Sequence, residues 1–339
     1  MRRTTGVVLL GIGAFLITLA ALVRFYAAGQ LIAAPADQYG ITKLQAAGAQ
    51  YFSIPDQKVL TGDLLITVTT RGDVKESKGD RVVWDEFMSV ADATNQKPQI
   101  SMSSRRSAFD KYTGRAVACC GTNIDGQPAE MSGQVYLFPF GTEKRTYEVF
   151  NSTARKAFPA QFVGEETVAG LKVYKFEQKV PATKTQTLSV PANLIGMEGN
   201  DEVQVDRVYE GTVTYYVEPT SGTPVRQDQS RDETLRTQDG VERSIAFRAD
   251  AKMTDESIAE LAAKARDAMN KITLIKTTMP LVLLVVGLVL AIGGIAILAR
   301  RQARPAAARR EEPRPEPAAS SASSTTPASS ATSASSAED

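Results

Sequence analysis

Two uncharged apolar runs, one near each end of the chain, enclose a long segment in which hydrophobic and polar residues alternate. The first run is Thr4–Val23 and the second is Thr277–Ala299. About 20 helical residues, each rising about 1.5 Å, cross the roughly 30 Å hydrocarbon layer of a bilayer. The pattern therefore predicts a membrane protein with two transmembrane helices and a large domain between them.

Basic residues beside the two runs predict the orientation of the chain. The arginines that precede the first run or most closely follow the second are Arg2, Arg3, Arg300, Arg301, Arg304, Arg309 and Arg310. By the positive-inside rule, residues 1–3 and 300–339 face the cytoplasm, and residues 24–276 lie outside the plasma membrane. The alternative for the first run is a cleaved signal peptide, although the nearest small-residue cleavage pattern, Ala34-Pro35-Ala36, lies well beyond it.

Between the runs, hydrophobic residues recur at every second position in many short stretches. This alternation predicts half-buried β-strands, and strands that follow one another without helices predict an antiparallel sheet. We expect a mainly β domain whose sheet curves into a barrel or half-barrel. The predicted strands are Leu64–Thr70, Arg81–Trp84, Gln99–Ala108, Gln134–Phe138, Leu171–Val180, Val203–Val217, Val225–Thr237 and Val241–Ala251.

A helix is predicted directly before the second run, over residues 254–276. Apolar residues recur there at helical spacing, and Thr254 or Asp255 suits the N-terminal position. We expect this helix to continue into the membrane as a stalk, with Pro280 as the site of a kink.

Composition distinguishes the segment between the runs from the C-terminal tail. The chain carries 39 Lys and Arg against 38 Asp and Glu, a formal charge of +1, which argues against a basic surface for nucleic acid. Residues 300–339 consist mainly of Arg, Pro, Ala, Ser and Thr. Such a segment buries too little apolar surface to offset the entropy of ordering, so we predict a disordered cytoplasmic tail.

The residue patterns of common catalytic sites are missing from the sequence. The chain contains no histidine, which removes the commonest general base and transition-metal ligand. It also lacks a Walker loop, a dinucleotide-binding glycine motif and a nucleophile elbow. Five acidic residues that are candidates for paired acid–base chemistry are more simply surface charges; they are Asp85, Glu86, Asp201, Glu202 and Asp206. We expect no enzyme activity, no metal and no cofactor.

Cys119 and Cys120 are the only cysteines, and they are adjacent. Outside the cytoplasm they can form a vicinal disulfide, remain as free thiols, or bond to another chain. A vicinal bridge closes a minimal ring, so it would provide a rigid turn rather than a large entropic gain. We take the vicinal disulfide as the first expectation and leave the other two states open.

Four motifs follow one another along the chain. They are Phe109–Gly114 leading to Cys119-Cys120-Gly121, then Phe138–Tyr147, Gly164–Phe176 and Tyr216–Gly222. In this order they resemble the actinobacterial two-span family called the porin PorA family, long a domain of unknown function. The resemblance covers roughly residues 1–299. It implies a cell-envelope protein and brings no catalytic residues to these positions.

The porin name of that family implies a role in permeability. The predicted strands do not suit a transmembrane β-barrel, because barrel strands need apolar outward faces and these strands are rich in charge. A pore formed by the helical spans of several copies stays open as an alternative. A structural or sensory envelope protein is a further alternative.

Residues Glu218–Arg226 also resemble a segment of LolA-like carriers, whose curved sheet encloses acyl chains. We therefore expect the outer domain to bind or pass an apolar envelope component such as a lipid. Membrane lipids, an envelope lipid ligand and further copies of the chain are the expected partners. Four aromatic residues are most simply interpreted as ordinary core packing, with lining of a lipid pocket as the alternative; they are Trp84, Phe87, Phe138 and Phe140.

Overall fold

The structure, a computed structural model, describes residues 2–299. A single sheet of 12 strands stands between two helical segments, which confirms the predicted mainly β, curled antiparallel fold. The predicted tail, residues 300–339, lies outside the described residues. The strands are Tyr39–Ser53 (β1), Lys58–Gly72 (β2), Arg81–Asp92 (β3), Lys97–Asp110 (β4), Asn123–Ile124 (β5), Gln127–Pro128 (β6), Tyr147–Asn151 (β7), Lys156–Val168 (β8), Leu171–Pro191 (β9), Glu202–Glu218 (β10), Thr223–Thr237 (β11) and Glu242–Met253 (β12).

The chain builds the sheet in two halves that meet in the middle. Strands β1 to β6 follow one another outward in one direction, and β7 to β12 return from the opposite edge. β12 then pairs with β1, and Leu44 lies opposite Met253. The strand after the first helical segment is thus the neighbour of the strand before the second, so both helical segments leave the sheet at the same end.

The two edges of the curled sheet are linked by isolated β-bridges. These bridges run from Phe109 in β4 through Arg115–Ala116 and Gln134 to Val149 in β7. The predicted strand Gln134–Phe138 is therefore wrong, because within it only Gln134 takes part in the bridges. The segment crosses the gap between the outer strands and forms part of the wall of the half-barrel.

Two helical segments, Thr4–Leu31 and Asp255–Ala299, are long and apolar enough to span a membrane. Thr254 is the N-cap of the second segment, since its hydroxyl accepts from the backbone N–H of Ser257 at 3.3 Å. The helices are α1 (Arg2–Leu22), α2 (Ala28–Leu31), α3 (Asp255–Thr273) and α4 (Met279–Ala299), with π-helical turns at Val23–Ala27 and Leu274–Thr278.

Glycines bring α1 and α4 into close contact. A Cβ atom added to Gly13 would lie 2.7 Å from the carbonyl oxygen of Gly287, and one added to Gly294 would lie 2.8 Å from that of Gly6. Membrane helices approach closely where small residues face each other, because packing replaces the hydrophobic effect as the driving force. The two apolar helices α1 and α4 therefore lie antiparallel and in close contact, and we call this pair the hairpin.

Arg24 supplies a hydrogen bond that the helix backbone lacks just before α4 begins. Pro280 has no N–H to donate to the carbonyl of Lys276, four residues before it. Arg24 Nη1 donates to that carbonyl instead. The irregularity predicted at Pro280 takes the form of the π-helical turn Leu274–Thr278, which directly precedes α4.

We expect Gly13→Leu to destabilise the hairpin by about 1–3 kcal/mol, the usual cost of overpacking. The new side chain would meet backbone atoms of Gly287 and Ala291, which cannot move aside as a flexible side chain would. Spin labels on Val8 and Ile292, both exposed, measure the effect in a background without the native cysteines. The distance between them should be longer in Gly13→Leu than in the protein with Gly13.

Gly11→Leu is the matched control for this substitution. In the described part of the chain nothing lies within 4 Å of a Cβ added to Gly11, so the distance between the labels should stay the same. An unchanged distance in Gly13→Leu as well would contradict the close contact between α1 and α4.

Candidate functional site

The curled sheet encloses a cavity of about 480 Å³. Inward-facing residues from most of the strands line it, from Thr42 in β1 to Met253 in β12. Residues 134–138, which cross the gap between the sheet edges, complete the lining. Small-molecule sites in proteins span roughly 300–1,000 Å³. The cavity is therefore large enough to be a binding site.

One part of the cavity wall is apolar. Its residues belong to, or pack against, the hydrophobic cluster that β1, β2, β3 and β12 bury between them. Methionine and long aliphatic side chains form an adaptable surface that can follow the outline of a flexible hydrocarbon. We call these residues the apolar wall: Leu44, Val68, Met88, Phe247 and Met253.

Another part of the wall carries charged side chains, and arginines outnumber carboxylates among them. Such groups are costly to bury unless they are paired and hydrogen-bonded. Their arrangement therefore determines what the cavity can hold. The charged lining residues are Arg105, Arg155, Arg207, Arg231, Glu86, Asp125 and Glu233.

Glu233 lies between two of these arginines and is only 2% exposed. Arg207 Nε donates to its Oε2 atom at 2.6 Å, and Arg231 Nη2 donates to its Oε1 atom at 2.5 Å. The Arg231 guanidinium also lies 5.2 Å from the centre of the Phe247 ring. We call Arg207, Glu233 and Arg231 the arginine cluster. Each carboxylate oxygen of Glu233 thus serves a different arginine.

A second ion pair lies elsewhere in the cavity. Arg105 Nη2 donates to Glu86 Oε2 at 2.9 Å, and the guanidinium lies 4.4 Å from the centre of the Tyr136 ring. Burial lowers the pKa of Arg105, but the attraction of Glu86 outweighs it and the pKa is raised overall. Burial also raises the pKa of Tyr136 to about 12, which keeps its phenol neutral at pH 7.

The four aromatic residues considered from the sequence lie in different environments. Phe138 lines the cavity. Trp84 is buried in the core and does not line the cavity. Its ring centre lies 5.1 Å from that of Tyr136, which does line the cavity. Phe87 is exposed and Phe140 is half-buried. Of the four, only Phe138 forms part of the cavity wall.

Two motifs that are distant in the sequence meet at this wall. The backbone N–H of Phe138 donates to the carbonyl of Gly222 at 2.9 Å. The buried Glu218 supports the turn from within, since its carboxylate accepts from the backbone N–H groups of Thr220 and Ser221 at 2.9 and 2.8 Å. These hydrogen bonds hold in place the segment that closes the gap between the sheet edges.

The acidic residues considered for acid–base chemistry are not gathered into one site. Asp85 pairs with Arg106 at 2.8 Å, and Asp206 pairs with Lys184 at the same distance. Within residues 2–299 no group of three His, Cys, Asp or Glu side chains is placed to hold a metal ion. Only Glu86 of these acids lines the cavity.

The sulfur atoms of Cys119 and Cys120 lie in the geometry of a vicinal disulfide. Arg106 Nε donates to the Cys120 carbonyl at 3.0 Å, and the same guanidinium pairs with Asp73 and Asp85. Neither cysteine lines the cavity. The structure thus places the pair in a turn that Arg106 also holds, and the bridge stays a prediction.

We expect replacement of both Cys119 and Cys120 by serine to lower the free energy of unfolding by only about 0–2 kcal/mol. The ring that the bridge closes is minimal, so little chain entropy is at stake, and Arg106 still holds the turn. Denaturation followed by the fluorescence of Trp84, the sole tryptophan, measures the change.

The bridge itself is tested by alkylation of the native protein without prior reduction, followed by intact-mass analysis. Unmodified protein is the expected result. Two alkylated thiols would refute the vicinal disulfide and leave Arg106 as the main constraint on the turn.

Comparison with known proteins places this architecture in a family. The family model described as Porin PorA matches residues 5–296, which include the whole sheet and nearly all of both helical segments. A Porin PorA from Corynebacterium amycolatum is 29% identical over 209 residues, 50% of this chain and 54% of that protein. A Porin PorA from Corynebacterium resistens is 25% identical over 284 residues, 64% of this chain and 69% of that protein.

This chain spans about half the length of the first of these relatives. The match to the family model nevertheless runs from the first membrane helix through every strand into the last helix. The resemblance drawn from the four sequence motifs is thereby confirmed. The chain belongs to the porin PorA family.

Proposed function

We propose that this membrane protein binds the acyl chain of an envelope lipid inside its curled sheet. The observation that carries the proposal is the cavity of about 480 Å³ with its apolar wall. Met253, at one end of the wall, pairs with Leu44 and stands one residue before the N-cap of α3, the helix that leads to the second apolar helix. The proposal assigns no catalytic step to the protein.

The test is the binding of saturated fatty acids of increasing length to the full chain in phosphatidylcholine nanodiscs, with empty nanodiscs as the reference. Each methylene buried contributes about 0.8 kcal/mol, so affinity should rise about fourfold per methylene until the cavity is full. Equal affinity at all lengths, or no binding above the reference, would refute the proposal.

Two neighbouring residues supply a matched pair of variants for this test. Met88→Ser places a hydroxyl in the apolar wall and should weaken binding of every chain that reaches it. Phe87→Ser alters an exposed side chain that does not line this cavity, so it should leave binding unchanged. Similar losses in both variants would count against the assigned wall.

A solute pore formed by several copies is the second candidate. The name Porin PorA, which both relatives carry, favours it. Polar side chains such as Asp85 and Arg248 face away from the cavity on the strands, whereas a transmembrane barrel needs an apolar outer band. Such a pore would therefore form among the helical spans. Single-channel currents from the purified full chain in a planar bilayer, without fatty acid binding, would favour this candidate.

We infer from the flanking arginines that residues 24–276 lie outside the cytoplasm and that both termini lie inside. A membrane-impermeant thiol reagent applied to intact cells should label a cysteine placed at Ser104, which is exposed in β4. A cysteine at Ser330 in the tail should react only after the cells are opened. Equal labelling of the two positions from outside would contradict this topology.

A further inference from the structure

We propose that the arginine cluster recognises an anionic head group, a carboxylate or a phosphate, on the lipid that occupies the cavity. This inference rests on the proposed lipid-binding function and goes beyond it by naming the chemistry of the head group. It is carried by three features of the cluster, which are its charge balance, an unpaired donor and its contact with the apolar wall.

The arginine cluster contains two guanidinium groups and one carboxylate, a net charge of +1, and within residues 2–299 no other carboxylate forms an ion pair with it. Both oxygens of Glu233 are already engaged, one by Arg207 and one by Arg231. The inward residues opposite Glu233 on the two neighbouring strands are Tyr209 and Phe247, which are uncharged. A charge removed from water is stabilised by a partner of opposite sign. An anion in the cavity would supply that partner.

Arg231 also has a donor without an acceptor. Its Nε atom is buried and forms no hydrogen bond within the described residues, although the side chain lines the cavity. Buried polar groups are nearly always hydrogen-bonded, so each exception calls for an explanation. The planar guanidinium matches the spacing of carboxylate and phosphate oxygens. The Nε atom itself is closed to solvent, so a head group that binds the Arg231 guanidinium, whose side chain is 17% exposed, would satisfy this donor after a rotation of the side chain.

The second ion pair, Arg105 with Glu86, has no excess positive charge for an anion to balance. Glu86 balances the charge of Arg105, and the Tyr136 ring covers the guanidinium. Arg105 Nε is also without a partner within the described residues, but its side chain is 11% exposed, against 17% for Arg231 and 36% for Arg207 in the arginine cluster. The cluster is therefore the site at which an incoming anion meets excess positive charge.

The arginine cluster and the apolar wall are continuous. Phe247 packs against the hydrophobic cluster that forms the apolar wall, and the Arg231 guanidinium lies 5.2 Å from the centre of its ring. One side chain thus contacts both regions. An amphiphile can place its anionic head at Arg231 and its hydrocarbon along the apolar wall without crossing another layer of protein.

The test compares dodecanoate, dodecanol and inorganic phosphate by calorimetry on the full chain in phosphatidylcholine nanodiscs at pH 7, with empty nanodiscs subtracted. Dodecanoate should bind about tenfold more tightly than dodecanol, because a hydrogen bond to a charged group adds about one factor of ten. Phosphate alone should bind much more weakly than dodecanoate, since it gains nothing from the apolar wall.

Three variants separate recognition of the head group from general effects on the fold. Arg231→Gln neutralises the cluster and should remove the preference for dodecanoate over dodecanol. Glu233→Gln removes the competing carboxylate and should strengthen dodecanoate binding, a gain that a purely structural role would not produce. Arg248→Gln is the control, because Arg248 pairs with Asp232 and does not line the cavity.

The outcomes distinguish this inference from the function on which it rests. Equal binding of dodecanoate and dodecanol, unaffected by Arg231→Gln and Glu233→Gln, would overturn the head-group assignment and leave lipid binding intact. Binding of neither compound would overturn both proposals. Binding of phosphate with the affinity of dodecanoate would show a site for free anions and would also overturn the assignment. Should Arg231→Gln fail to fold, the affinity of Glu233→Gln for dodecanoate still tests the head-group assignment, and no gain in that affinity would overturn it.

Discussion

Replacement of Glu233 by alanine should lower the free energy of unfolding of the β-domain by about 3–5 kcal/mol, the cost of breaking a buried ion pair. The carboxylate is 2% exposed and is the partner of both Arg207 and Arg231. Its loss leaves two neighbouring positive charges that repel each other. Because Arg207 is 36% exposed and can turn toward water, we expect the lower end of this range.

Asp232→Ala is the matched control, since it removes a carboxylate from the adjacent residue of the same strand. Asp232 pairs with Arg248, and both side chains are 43% exposed. Exposed ion pairs contribute about 0–1 kcal/mol. Chemical denaturation followed by Trp84 fluorescence measures both variants. Equal losses in Glu233→Ala and Asp232→Ala would show that the arginine cluster contributes no more than a surface pair.

Gly222→Ala should destabilise the protein by about 2–5 kcal/mol, through two effects that add. Gly222 has a φ of 68°, a left-handed conformation that costs an L-residue about 1–2 kcal/mol. Its added Cβ would also lie 2.1 Å from the carbonyl oxygen of Phe138, and overpacking of this kind costs about 1–3 kcal/mol. The wall segment beside the cavity would have to move away from the turn.

Gly170→Ala separates the two effects. Gly170 has a φ of 78° in the β8–β9 hairpin, and within the described structure a Cβ added there meets no atom within 4 Å. It should show the conformational cost alone. If Gly222→Ala costs no more than Gly170→Ala in the same denaturation experiment, the close contact between the turn and Phe138 is not present in solution.

The strands that the sequence predicts well are those in which the alternation extends over many residues. Predicted Val225–Thr237 lies within β11 and predicted Val203–Val217 lies within β10. In β10 the buried residues Val205, Tyr209, Val213 and Tyr215 all have odd numbers, so local pattern and final burial agree over that stretch, although bulges shift the register of both strands elsewhere. Both helical segments were predicted for the same reason, since a long apolar run needs no distant contact to be recognised.

The first strand was missed because a bulge interrupts its alternation. The pairing of β1 with β2 shifts between Ala46 and Ala49, and Gly48 adopts a φ of 61° there. A bulge adds one residue to one strand, so the inward positions change from even to odd numbers. Leu44 and Ala46 before the bulge, and Tyr51 after it, are all buried. A pattern with a constant period of two cannot connect them.

The arginine cluster left a weaker signal that the sequence analysis did not use. In β11, alternation places Arg231 and Glu233 on the same face as Leu235, a buried core residue. Charged residues at core positions of a strand are unusual and mark a site or a buried pair. The partner in β10, Arg207, was not predictable, because the register of two strands depends on their turn and its bulges.

The sequence by itself determined that this protein has two helices long and apolar enough to span a membrane and a β-rich domain of consecutive antiparallel strands. These features depend on hydrophobic periodicity within short stretches and on the short connections between them. Only the tertiary structure decided that β12 pairs with β1, that the sheet curls around a cavity, and that Arg207, Glu233 and Arg231 meet inside it. Those features depend on contacts between residues that are distant along the chain, where burial and charge pairing act together and a local pattern carries no information.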